Sequence, residues 1–179
     1  MQLTQDMVLT VIARDRPGLI KALSETIAAQ DGNWIDSSMA RLGGEFAGIL
    51  RVAVPEGKAG ALEAALGSLG DAGIWVTIRK GVESHPPAGR HVRLQMTGVD
   101  HPGIIHEIST ALSALDVSID ELETRVFAGS MSGEAMFEAK AEIILPDGLD
   151  EGMLRETLEE LAHDLMVEVD LEAASGHAG

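Results

Sequence analysis

Apolar positions along the chain change their spacing several times, and the changes recur. Met7 to Ala13 is a β-branched and apolar stretch that predicts a strand. Leu19, Ile20, Leu23 and Ile27 then fall at helical spacing on one stripe. Two further strands are expected at about 33–41 and 45–54, with Gly43-Gly44 supplying the positive φ of a tight hairpin. Leu62, Ala65, Leu66 and Leu69 mark a second helix, and Ile74 to Arg79 a last strand.

The second half reads alike. Arg93 to Thr97 is a strand, and Ile104, Ile105, Ile108, Leu112 and Leu115 form a helical stripe. Asp31-Gly32 and Asp116 end the first helix of each half. A longer turn, Ala128 to Glu134, precedes a strand in which Phe137, Ala139, Ala141, Ile143 and Leu145 share one face and Glu138, Lys140 and Glu142 the other. Met153, Leu154, Leu158 and Leu161 mark the second helix, and Leu165 to Leu171 the last strand. The order β-α-β-β-α-β, twice, predicts an α+β chain of two ferredoxin-like units. Each is a four-stranded antiparallel sheet with two helices on one face. The other face is free for another sheet or a partner, and exposed edge strands favour a homodimer.

Direct repetition supports this. Asp15-Arg16-Pro17-Gly18-Leu19-Ile20 returns as Asp100-His101-Pro102-Gly103-Ile104-Ile105, a shift of 85 residues. Ile35-Asp36 with Arg41 returns as Ile119-Asp120 with Arg125, a shift of 84, and Pro55-Glu56-Gly57 returns as Pro146-Asp147-Gly148. This is duplication of a whole unit. The expected layout is a first domain over 1–81, a linker over 82–89 stiffened by two prolines, a second domain over 90–172, and a fraying tail over 173–179.

Composition narrows the function. The 179 residues are 45% hydrophobic and 23% charged, enough for a packed core. No apolar run approaches the roughly 20 residues of a membrane span. The start lacks a secretion-signal pattern, so a cytoplasmic location is expected. Without cysteine there are no disulfides or thiolate sites. Net charge is −16, split as −2 over residues 1–85 and −14 over residues 86–179. Such a surface repels a phosphate backbone, which argues against direct nucleic-acid contact.

The two Asp-x-Pro-Gly corners admit two readings. In the structural one, proline and glycine shape a helix start and the aspartate caps its amides. In the functional one, the free amides of Gly18-Leu19 or Gly103-Ile104 receive a carboxylate, and Asp15 or Asp100 an ammonium. That pair of demands is what a small zwitterionic amino acid presents.

At these corners the sequence resembles the ACT domain, a small-molecule regulatory module. The resemblance implies amino-acid binding beside the turn, commonly where two modules meet. It places a second ligand contact at an Asn opening the second strand, matched by Asn33 and, with a departure, by Ser118. Serine offers one donor where Asn offers two and a carbonyl, so the first copy is the better expected site. The segment Asn33 to Phe46 and the tandem layout are further similar to the two-ACT repressors of glycine cleavage. That likeness implies a regulator relieved by glycine that contacts a LysR-type activator protein. A detached regulatory subunit of a metabolic enzyme, or an interaction module without a metabolite, are the alternatives.

Catalysis and cofactors are not expected. There is no nucleophile elbow, P-loop or dinucleotide fingerprint. Ser24 and Ser109 have no His at a useful spacing, and Glu121 with Glu123 and Glu159 with Glu160 read as solvated faces. His101 and His106 do not share a helical face, His85 and His91 flank the linker, and His177 lies in the tail, so no metal set is expected. Trp34 and Trp75 read by default as packing residues; exposed on the free sheet face they would be binding anchors.

Overall fold

In the computed structural model the described residues are 3–81, 88–131 and 133–174. They form two compact units that divide at residues 85 and 86. The 82–89 segment expected as a linker lies almost wholly outside the described residues.

The first unit runs β1 (Thr4–Arg14), α1 (Leu19–Ala28), β2 (Asn33–Leu42), β3 (Glu45–Pro55), α2 (Ala59–Ser68) and β4 (Ile74–Lys80). Its sheet order is β2-β3-β1-β4, with every neighbouring pair antiparallel. The second runs β5 (Arg90–Val99), α3 (Ile104–Ala114), β6 (Ser118–Ala128), β7 (Ala135–Leu145), α4 (Glu151–Leu165) and β8 (Val167–Ala173), in the order β6-β7-β5-β8. The α+β, ferredoxin-like reading holds in both.

Period-2 alternation in the strands builds one core per unit. Met7, Leu9, Val11 and Ala13 of β1 and Leu50, Val52 and Val54 of β3 face the helices, which return Leu19, Leu23, Ile27, Leu62 and Leu66. In the second unit Leu94, Met96, Ala139 and Ile143 meet Ile104, Ile108, Leu112, Leu154 and Leu158. No polar or charged side chain is buried among the described residues. Asp31 and Asp116 close α1 and α3 in the left-handed conformation, at φ 55° and 54°.

Several expectations need correcting. Ile20 and Met153, placed on helical stripes, are exposed because Leu19 and Leu154 beside them take the core positions. Leu165 ends α4, since Met166 (φ 54°) breaks the helix one residue later and β8 starts only at Val167. Ala173, assigned to the tail, pairs with Val92. Trp34 packs on the core, but Trp75 is 59% exposed on the outer face of the sheet.

The duplicated strands also align differently from their sequence. Both β2 and β6 carry a β-bulge, at Ile35 in the first and at Asp120 in the second. Outside the bulges Asn33 pairs with Ala53 as Ser118 pairs with Ile144, and Ala40 pairs with Ala47 as Arg125 pairs with Glu138. The shift is therefore 85 throughout. Arg125 matches Ala40, not Arg41, and Asp120 matches Ile35. The similarity at a shift of 84 is side-chain coincidence, displaced by one residue onto the opposite face.

Candidate functional site

Each corner is shaped by a glycine that no other residue could replace without strain. Gly18 has φ 90° and Gly103 φ 99°, and each opens its helix as the residue before the first turn. A Cβ built at either would meet nothing within 4 Å, so the corner is open beside the glycine. The helices begin at Leu19 and Ile104, whose side chains are buried and leave only their amides to the corner.

The expected aspartate cap is absent. No side chain caps α1 or α3: the residue at the cap position is glycine in both, with no side chain to accept from the first-turn amides. Those amides lack the intrahelical acceptors that later turns have. Asp15 and Asp100 instead fasten the corner through their backbone. Asp15 N–H donates to Gly44 O at 2.9 Å, and Asp100 N–H to Ala135 O at 2.8 Å. Both acceptors lie where the edge strand turns into its neighbour, in the β2–β3 connection and at the start of β7 after the β6–β7 connection.

The residue between Asp and Pro does matching work with different chemistry. Arg16 donates to the carbonyl of Ala72, at the end of the turn following α2, at 2.7 Å. His101 donates from Nε2 to the carbonyl of Leu165, the last residue of α4, at 2.9 Å. Its Nδ1 stands 3.2 Å from Pro102 O, so both nitrogens donate only in the imidazolium. The His101 pKa is raised accordingly, first by the Leu165 bond, then by Pro102, with the Asp100 charge adding to it. Each side chain thus satisfies a carbonyl at a helix end. Pro17 and Pro102 are exposed.

The carboxylates differ. Asp15 Oδ1 is held at 2.9 Å by Arg41 Nε, so its charge is already met. The position matching Arg41 is Val126, and Asp100 has no salt bridge among the described residues. Asn33 and Ser118 are exposed at the start of β2 and β6, at the far end of the strand from the corner. Ten residues of strand put them about 30 Å away. Within one unit, the corner and Asn33 or Ser118 do not come together.

The outer faces differ more. In the first unit Ile12, Ile49 and Trp75 are 50%, 56% and 59% exposed, with Ile12 directly opposite Trp75. The matching positions are Thr97, Lys140 and Glu168. The second face is crossed by charge pairs: Arg125 holds Glu138 at 2.6 Å, depressing that carboxyl's pKa, and stacks over Phe127 at 4.9 Å. One grouping there leaves no mark in the sequence. His91, Asp120 and Glu142 bring their donor atoms within 4.8 Å of one another, a convergence that only the register of three strands reveals.

Two βαββαβ units, each with an open Pro-Gly corner at its first helix, define a tandem regulatory-module architecture. The ACT domain family matches residues 5–72 and 90–172, and the chain belongs to that family. Among solved structures, an unknown protein from Galdieria sulphuraria is 28% identical over 96% of this chain and 99% of its own, with a TM-score of 0.82. A protein assigned as a glycine cleavage system transcriptional repressor is 19% identical over 95% of this chain and 97% of its own, with a TM-score of 0.69. At that identity the likeness speaks for the fold. No curated protein matches the chain.

Proposed function

We propose that the chain is an amino-acid-sensing regulator that acts through a protein partner and performs no catalysis itself. The carrying observation is the uncapped, open corner at Gly18 and again at Gly103. Helix-start amides without a capping side chain favour a carboxylate by both hydrogen bonding and the helix dipole. The aspartate three residues before each glycine, Asp15 or Asp100, is assigned to the ammonium. The lack of bulk at the glycine suits a small ligand, with glycine the favoured one. The first corner has Asn33 in its unit, while the second offers Asp100, whose charge no arginine among the described residues offsets.

A ligand that touches the corner and an Asn33 at once needs two modules, and a homodimer is the arrangement this reading favours. The partner contact is assigned to the outer face of the first unit, where Trp75 and two isoleucines have the composition of an interface anchor. A LysR-type activator is the favoured partner, in keeping with an acidic chain that does not itself grip nucleic acid. No helix among the described residues is long and apolar enough to cross a membrane, and a cytoplasmic site of action completes the proposal.

Titration calorimetry of the full chain with glycine, serine and alanine tests it. Heat with at least one of them is expected, with a rise in melting temperature; ligand at a hundred times its Kd adds about 2.7 kcal/mol to the folded state. Silence with all three at millimolar concentration defeats the sensing proposal.

A further inference from the structure

We infer that the outer face of the second unit carries a divalent-metal site of the zinc class, formed by His91, Asp120 and Glu142. The three residues come from β5, β6 and β7, which are adjacent in the sheet in the order β6-β7-β5. Their donor atoms lie within 4.8 Å of one another. A zinc ion with donors at about 2.0–2.2 Å holds them somewhat closer, an adjustment that rotation of exposed side chains supplies. One imidazole nitrogen and two carboxylate oxygens suit a first-row divalent cation. Three protein donors leave a position for water or for a group from another molecule.

The local structure brings these groups together by a specific device. Asp120 is the bulged residue of β6, between Ile119, opposite Ile143, and Glu121, opposite Glu142. A bulge re-aims the side chain it carries, and here it turns a carboxylate toward the strand that bears Glu142. His91 sits opposite Ile144 on the far side of β7. No salt bridge or side-chain hydrogen bond engages the His91 ring or Asp120 among the described residues. Arg93 reaches Glu142 only at 3.9 Å. The adjoining groove is lined by Glu121 and Glu123 besides Arg93 and Lys140.

The first unit supplies an internal control. The matching positions are Asp6, Ile35 and Arg51, with Arg51 paired to Asp36 at 2.8 Å. An apolar residue in the bulge and an arginine on the middle strand cannot hold a cation. The site therefore belongs to the second copy alone and is not a by-product of the fold.

Calorimetry of the untagged, chelator-stripped full chain with Zn2+ tests this, with Co2+ as an absorbing probe. The expected result is one Zn2+ per chain and visible Co2+ bands from a site containing nitrogen. His91→Gln and Asp120→Asn should each weaken binding by about tenfold or more. Glu159→Gln, on α4, should leave it unchanged. Absence of saturable binding overturns the inference, as does binding that both ligand variants leave intact, since the ion would then sit elsewhere. Amino-acid binding at the corners gives its own heat in a metal-free titration, so the two proposals stand or fall separately.

Discussion

The two units match position for position in their cores and corners and part company on their outer faces. At three equivalent places the first has Ile12, Ile49 and Trp75, and the second Thr97, Lys140 and Glu168. The helix side of each sheet is held to apolar residues by the cost of burying anything else. The outer side faces no such limit, so it is where copies of one fold acquire different tasks. The corners show a smaller version of the same split. Arg16 and His101 perform one structural job, but only His101 changes its charge near neutral pH.

The largest expected effect tests the matched cores. Leu23 and Ile108 are equivalent and buried, and Leu23→Ala or Ile108→Ala should each cost about 2–5 kcal/mol. In urea unfolding followed by circular dichroism, each variant should lower one transition and leave the other in place. If either lowers both, the two units are energetically coupled and cannot be compared as independent copies.

Next comes the contrast between the faces. Trp75→Glu should abolish recovery of the proposed protein partner in a pull-down while shifting stability by no more than about 0.5 kcal/mol, the range of ordinary surface changes. Glu168→Gln at the matching position should alter neither. Equal loss from both variants would mean that the two faces serve one contact.

The corner cations give the smallest effect. Because the folded pKa of His101 is raised, its stabilising contribution is full below the unfolded value near 6.5 and fades as pH rises through the folded value. The stability difference between wild type and His101→Ala should shrink over that rise. The difference for Arg16→Ala should stay flat, since guanidinium remains charged. Parallel curves in thermal melts between pH 5 and 9 would show that the His101 bond to Leu165 O contributes nothing.

What can be read from sequence follows the same division. Element order, hairpin glycines and both corners are legible because each leaves a local mark: a period, a dipeptide, a turn residue. The bulges leave none. One extra residue in β2 and β6 is invisible in the pattern, so Arg41 and Arg125 look equivalent while lying on opposite faces. The meeting of His91, Asp120 and Glu142 depends on that same register and on pairing across 51 positions of chain, from His91 to Glu142. Asn33 and the corner look like parts of one pocket because sequence order carries no sense of which end of a strand a residue occupies. Trp75 reads as a packing residue because its neighbours Ile74 and Val76 define an alternation whose phase only the sheet decides.

The bond from Arg16 to Ala72 ties together segments 56 residues apart using exposed groups alone. It joins the segment before α1 to the turn after α2. The elbow in front of α1 is accordingly braced from two sides, by Arg16 on the turn after α2 and by Asp15 on Gly44 and Arg41, so no one of these exposed contacts carries it alone.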